Sequence, residues 1–441
     1  MGKARRNRIP RDPVRAQVHG LSHEGRGVAQ VDGKTVFVHG ALPDEEVTFF
    51  YKRRHRRFDE AAVEIVHTPA PKRVEPRCPH FGICGGCSLQ HLSPDDQIAF
   101  KQGVLLEQFR QFGKVAPEQV LPPLRAGTWG YRRKARLAVK SVPAKGRVLV
   151  GFREKYSPYV ANMTECHVLD PRVGMKLAEL SELVGGLSRP DRVPQIEVSI
   201  GDNAVALVFR NLEPWTAADR DALTAFGQAH DMQIYEQPGN ESTIAPIWPE
   251  DAALHYMAGD SDIRIEFLPS DFTQVNADLN TLMLERTLNL LDPGPEDRIL
   301  DLFCGLGNFT LPLARRAGRV VGVEGAASLV ERARRNAQLN GTDNAVFHVA
   351  DLAGDVTGLP WLREPFDKVL LDPPRSGAAE VIPRLSTLGA RRIVYVSCNP
   401  ATLARDAGML VHDHGYRLLS AGVMDMFPHT AHVESIAMFE R

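Results

Sequence analysis

The chain has 441 residues, with 53 Lys and Arg against 54 Asp and Glu, a formal net charge of −1, 43% apolar residues and 24% charged ones. It is too long for one small core, and its composition is that of an ordinary soluble chain of two or three domains, not of a low-complexity or disordered one. No apolar run reaches membrane-spanning length, and "MGKARRNRIP" lacks the apolar stretch of a secretory leader. A reducing cytoplasm is therefore expected, where six cysteines serve as ligands or catalysts sooner than as disulfides.

Charge is unevenly spread. Residues 1–80 hold 16 Lys+Arg and 10 Asp+Glu, a net of +6, which leaves −7 for the rest. A basic front suits a polyanion, although a solvated face and a loose basic tail would give the same count. Residues 13–67 read as short strands: Val14, Ala16 and Val18 alternate, as do Val36 and Val38, with "DG" and "HG" turns between strands. This pattern predicts a small antiparallel β-barrel over 10–68. Within it "FFYKRRHRRF" (49–58) interleaves rings with five Arg and Lys, as single-stranded nucleic acid requires. The barrel resembles a TRAM domain, which implies RNA binding.

"PAPKRVEPRCP" (69–79) reads as a linker into a middle segment, 69–268, of mixed strands and helices. In it "YRRKARLAVK" (131–140) is either a second RNA-facing patch or a solvated edge strand. "CPHFGICGGCSLQH" supplies Cys78, Cys84 and Cys87 at C-x5-C-x2-C, with glycines that allow a tight wrap. A fourth thiolate is needed, and Cys166 is the one left once Cys304 and Cys398 are assigned elsewhere. Four such ligands suit a 4Fe–4S cluster or tetrahedral zinc, and spacing does not choose between them. A radical S-adenosylmethionine enzyme would use C-x3-C-x2-C, so the first interval is wrong for it.

From 269 to the end, short apolar runs alternate with helices: "RILDLF", "RVVGVE", "AVFHV", "DKVLLD" and "RRIVYVS". These are strands of a buried parallel sheet, doubly wound, and "YRLLSAGV" with "VESIAMF" closes it as a hairpin. "DLFCGLGNF" is a glycine turn without the third glycine of a dinucleotide site. Glu324 at the end of the second strand can take ribose hydroxyls, and Asp351 after the third can take an adenine amine. Together these resemble a class I, Rossmann-like methyltransferase using S-adenosylmethionine.

Asp372 in "LDPPRSG" and Cys398 in "VSCNP" end the fourth and fifth strands, over the same cleft. Methylating an amine needs no thiol. Uracil C5 does: a thiolate adding at C6 makes C5 nucleophilic, and a base must then remove the C5 proton. Glu434 in "HTAHVES" is the base candidate, with His429 and His432 as competitors. "FTQVN" (272–276), "DLFCGLGNFT", "LDPPRSG", "VSCNPATLARD" and "FPHTAHVE" resemble, in that order, the RNA uracil-C5 methyltransferase family over the whole catalytic half.

That resemblance implies Cys398 as nucleophile and Glu434 as base. It implies Gln274, Phe303, Asn308, Glu324, Asp351 and Asp372 around cofactor and target base. It also moves the cysteine quartet toward an iron–sulfur cluster, as in the 23S rRNA branch. The cytosine-C5 family usually has a second cysteine after Asp-Ala-Pro, where this chain has Asp372-Pro373-Pro374-Arg375. Cys304 is read as packing. Barrel plus quartet points to a monomeric, three-domain enzyme acting on 23S rRNA or a ribosomal precursor particle, at one site or two, with the catalytic domain at 269–441. The rival from another class is a ribosome-assembly factor that binds RNA with a silent pocket.

Overall fold

The computed structural model describes residues 9–10, 12–142, 146–259, 262–354 and 359–441. The basic tail expected at residues 1–8 lies outside them. Five strands, Val14–Leu21, Gly27–Val31, Lys34–His39, Glu46–Arg54 and Phe58–Thr68, close into a barrel. Its core is built from the alternating positions: Val18, Ala29, Val36, Val38, Val47, Phe49 and Ala61 are buried. Closure removes sheet edges, so this small module needs no partner strand.

The proline-rich stretch after the barrel is tied down. Arg73 Nε donates to the fully buried Glu45 Oε1 at 2.5 Å and Arg73 Nη2 to Gly40 O at 2.6 Å. Composition suggests a loose linker; one ion pair under the barrel makes it a fixed one.

The middle sheet orders its strands Ala245–Trp248, Met232–Gln237, Val205–Arg210, Gln195–Ile200, Lys134–Val142, Arg147–Gly151. One face packs on its own helices and loops, including buried Cys84 and Cys166. Residues of the other face (Ala206, Val208, Tyr235) join Leu279 and Met283 of the helix Ala277–Leu291 in a core shared with the catalytic sheet.

The catalytic sheet has eight strands, in the order Ala345–Val349, Arg319–Glu324, Arg298–Leu302, Lys368–Leu371, Arg392–Ser397, Glu434–Glu440, Arg417–Met424, Gln119–Val120. The first five are parallel, and Glu434–Glu440 runs antiparallel to both of its neighbours. Sequence order reverses between Arg298–Leu302 and Lys368–Leu371, so a ligand crevice lies beyond their carboxyl ends.

The stretch 69–268 does not pack as one body. Its helix Pro94–Gln108, capped by Ser93, buries Ile98 and Leu105 with Phe109 in the catalytic core, and Gln119–Val120 adds the edge strand. The buried positions of that helix are Gln97, Ile98, Lys101 and Leu105, two of them polar. No clean apolar stripe therefore announces where it docks.

Candidate active site and cysteine site

Every strand that points into the crevice ends in one of the expected residues. Phe303 follows the first strand with φ 67°, a left-handed conformation costly for a bulky side chain and found mostly where function holds it. Gly305, two residues on, has φ 54°, and the space where its Cβ would stand is open, leaving room for a ligand against the backbone. Glu324 ends the second strand; Oε2 accepts from Gly305 N at 3.2 Å and Oε1 from Ala326 N at 3.0 Å. Each oxygen keeps a second lone pair. Asp351 is exposed and accepts from Ala353 N at 3.0 Å.

Asn308, in the same turn, is also held within the protein. Its amide exchanges hydrogen bonds with Asn280 at 3.0 and 3.1 Å and accepts from Tyr256 OH at 3.1 Å. This clasps the helix Ala277–Leu291 to the cofactor turn. Gln274 lines the pocket beside that clasp, together with Tyr256 and Asn280. Cys304 is packing, as expected. A Cβ on Gly322 would stand 3.0 Å from its Sγ and 2.8 Å from the Phe347 ring, so glycine in the next strand makes room for it.

Cys398 and Glu434 are brought together by register. Ser397 pairs with Ser435 as the last step of the antiparallel ladder, so Cys398 and Glu434 leave it side by side, close enough for Glu434 to raise the Cys398 thiol. Asn399 caps the following helix by accepting from Ala401 N at 3.1 Å, and its Nδ2 donates to Arg375 O at 3.0 Å. The strand end is thereby locked to the Asp372–Arg375 turn. Cys398 opens into a cavity of about 650 Å³, which His23 and Glu24 of the barrel also line.

The electrostatics follow from enclosure. Burial pushes the Glu434 carboxyl up to about 8, and Asp372 adds to the push while Arg375 and Lys101 oppose it. Burial alone raises Asp372 to about 7. Burial and these two carboxylates lift the Cys398 thiol to about 11, so it rests protonated. The two histidines are poorer bases. Burial lowers both to about 4; Arg375 Nη2 sits 2.6 Å from His432 Nε2, and His429 is stacked at 3.9 Å on Trp129.

Two groups at the site carry no obvious mark in the sequence. Asp301, fully buried mid-strand, accepts from Thr310 Oγ1 at 2.5 Å and is raised by burial to about 7. Lys101, fully buried in the Pro94–Gln108 helix, pairs with Asp425 at 2.6 Å. An acid inside an apolar strand is a visible signal for the first; nothing local marks the second.

Cys78, Cys84, Cys87 and Cys166 line one small pocket with Phe81, Phe152 and Met163. Gly86 N points at Cys84 Sγ, 3.3 Å away, and Cys78 N donates to Gln90 Oε1 at 3.1 Å. Burial raises Cys84 to about 11 and Cys87 to about 12. Among the described residues no three His, Cys, Asp or Glu side chains form a ready-made single-ion site.

The basic segments differ from each other. Lys52, Arg53, Arg54, Arg56 and Arg57 at the barrel are all exposed. In 131–140 most polar groups face inward: Tyr131 OH donates to Pro428 O, Arg133 pairs with Asp202, and Lys134 Nζ donates to Pro269 O and Asp271 O. That strand joins domains more than it offers charge to solvent.

The fold and its crevice are those of the class I methyltransferases, which use S-adenosylmethionine. The structure of the Pyrococcus abyssi tRNA (uracil-54, C5)-methyltransferase in complex with S-adenosyl-L-homocysteine aligns with a TM-score of 0.74 at 27% identity, covering 96% of this chain and 99% of that one. Residues 254–441 match the tRNA (Uracil-5-)-methyltransferase family and residues 10–48 the TRAM domain. The 23S rRNA (uracil(1939)-C(5))-methyltransferase RlmD of Alkalilimnicola ehrlichii is 61% identical, covering 100% of this chain and 99% of its own. Its namesake from Nitrosococcus oceani is 56% identical over 99% of this chain and 98% of its own. The chain belongs to the 23S rRNA (uracil-C5)-methyltransferase family.

Proposed function

We propose that this chain methylates C5 of one uracil in 23S rRNA, the position numbered 1939 in its relatives' names, acting as a cytoplasmic monomer on the RNA or a precursor particle. The observation that carries the mechanism is the ladder that ends at Ser397–Ser435, one residue short of Cys398 and Glu434, with Cys398 lining the cavity and Glu434 buried within range of its charge. Cys398 gives up its proton to solvent and adds through sulfur to C6 of a uracil turned out of its stack, leaving C5 electron-rich as an enolate. Phe303, Gly305, Glu324 and Asp351 would hold S-adenosylmethionine, which would supply the methyl group from its sulfonium and depart as the neutral thioether. Asp372 and Gln274 face cofactor and base. Glu434, with its pKa near neutrality, takes the C5 proton, and the C6–S bond then breaks with its electron pair returning to sulfur.

The division of labour follows: barrel 10–68 for RNA, the part of 69–268 outside Pro94–Gln108 and Gln119–Val120 as the middle domain carrying the cysteines, and 269–441 with those two elements for catalysis. The residues around the quartet fit a 4Fe–4S cluster. Four thiols share one pocket, and an amide N–H is already turned toward the sulfur of Cys84. Thiols with raised pKa values hold protons unless a strong cation displaces them. Cys78, Cys84, Cys87 and Cys166 would hold the cluster, and its contribution here is to brace the fold.

Covalent trapping tests the reading. With S-adenosylmethionine and 5-fluorouracil-substituted 23S rRNA, C5 carries no removable proton, so the protein should stay attached to rRNA on a denaturing gel. Substituted tRNA should give no such band. Cys398→Ala must abolish the band; a band that survives it, or that forms with tRNA instead, refutes the assignment.

A further inference from the structure

Residues 425–433 connect the two antiparallel strands of the catalytic sheet and end at Glu434. Met424 and Glu434 form the last register pair before the connection opens. Its first residue, Asp425, is buried, and Oδ1 accepts from Lys101 Nζ at 2.6 Å; the same ammonium donates to Phe427 O at 2.9 Å. One helical turn earlier Gln97 Oε1 accepts from His429 N at 2.8 Å. An apolar residue at position 101 would suit the surrounding core at lower desolvation cost, so a buried lysine here calls for a reason. Its place provides one: the two atoms it holds are both in the short segment that delivers the glutamate.

We propose that Lys101 is a positioning residue for methyl transfer: by gripping Asp425 and Phe427 O it fixes the connection so that the Glu434 carboxylate stays opposite Cys398. The proposal rests on Glu434 being the base. The charged and titratable groups facing that carboxyl are Asp372 and Arg375 from the turn after the fourth strand, Cys398 from the end of the fifth, and Lys101 from the helix. Lys101 touches neither substrate nor cofactor; it holds the connection, and its charge also opposes the rise of the Glu434 pKa.

The chemistry separates positioning from mere support of the fold. Addition of sulfur to C6 and methylation at C5 do not need the base. Only the final step does, in which the C5 proton goes to the carboxylate, the C5=C6 bond re-forms and sulfur leaves. A misplaced base therefore lets a covalent protein–RNA adduct accumulate with ordinary uracil. Single-turnover reactions with S-adenosylmethionine and a 23S rRNA fragment, quenched in detergent, report formation and release separately. Lys101→Met should slow release by about tenfold to a hundredfold, as small misplacements of catalytic groups do, with adduct formation nearly unchanged.

Glu434→Gln is the reference and should accumulate the same adduct. If it does while Lys101→Met releases at the wild-type rate, the positioning role is wrong. If Glu434→Gln itself releases normally, the base assignment falls and the role of Lys101 falls with it. Lys101→Met leaves Asp425 buried without a partner, so the paired variant Lys101→Met with Asp425→Leu removes both charges and spares the fold. Slow release in the paired variant that persists at pH 9, with an unchanged melting temperature, supports the proposal; release restored at pH 9 would show that Lys101 acts through its charge on Glu434 instead. Wild-type release in the paired variant at every pH would show that the ion pair serves stability only.

Discussion

Glu434 is an acid that its surroundings discourage from ionising. Burial and Asp372 push its pKa up to about 8, with Arg375 and Lys101 only partly offsetting them. The folded protein thus binds this proton more tightly than the unfolded chain, whose carboxyl titrates near its ordinary value. The sign follows from linkage: the group's contribution to stability is fully present below that ordinary value, and is lost as pH rises through about 8. Glu434→Gln cannot ionise. It should therefore match the wild type in melting temperature near pH 4.5 and gain on it steadily up to pH 9 or so. Asp372, raised to about 7 by burial, is present in both proteins and contributes the same trend to each. A melting-temperature difference that stays flat across that range would mean the carboxyl is not enclosed as described. The same enclosure explains a resting thiol at Cys398: raised to about 11, it stays protonated until uracil and the cationic sulfonium enter.

At the scale of elements, the cysteine loop and the connection that leads to Glu434 are one splinted unit. Ser88 N and Leu89 N, just past Cys87, both donate to His429 O at 2.9 Å. Ser88 Oγ accepts from Ala431 N at 3.0 Å, and Tyr131 OH, beside the pocket, donates to Pro428 O at 3.0 Å. Anaerobically purified protein should contain iron and acid-labile sulfide; zinc without either would overturn the cluster. Stripping the metal should speed amide hydrogen exchange in 427–433 while the barrel strands keep their protection. Unchanged exchange would show that the cysteine loop stands without its metal. The cysteines were legible from spacing and count, and the parallel strands from their apolar runs. Their mutual docking was not, because it is made by backbone amides and carbonyls that every residue carries. Cys398 and Glu434 were singled out in the sequence, but the ladder that brings them close was not legible, because strands Arg392–Ser397 and Glu434–Glu440 are separated in the chain by a helix and another strand. The same holds for the Pro94–Gln108 helix, whose allegiance rests on buried Gln97 and Lys101 as much as on Ile98 and Leu105.

For the whole molecule the question is how a large RNA is brought to one thiol. His23 and Glu24, in the first turn of the barrel, line the same cavity as Cys398, so whatever the barrel grips is already beside that thiol. Of its basic strip, Arg53 pairs with Glu60 at 4.0 Å and Arg54 with Asp59 at 3.4 Å, whereas Lys52, Arg56 and Arg57 are exposed and make no ion pair among the described residues. Those three are the free cations on that face, and phosphate is their natural partner. Replacing all three with glutamine should weaken rRNA binding and flatten its dependence on salt, by about 0.7–0.9 in the log–log slope for each phosphate no longer neutralised. Turnover at saturating RNA and affinity for S-adenosylmethionine should hold, because neither the crevice nor the Cys398–Glu434 pair is touched. An unchanged slope would reduce the strip to a solvated face and leave RNA recognition to the cavity rim. A fall in turnover, with binding intact, would mean instead that the barrel sets the angle at which the uracil enters. Either result bears on why the barrel is fixed by the buried Arg73–Glu45 pair instead of hanging from a loose linker: a grip on RNA is useful to the thiol only if the distance between them is constant.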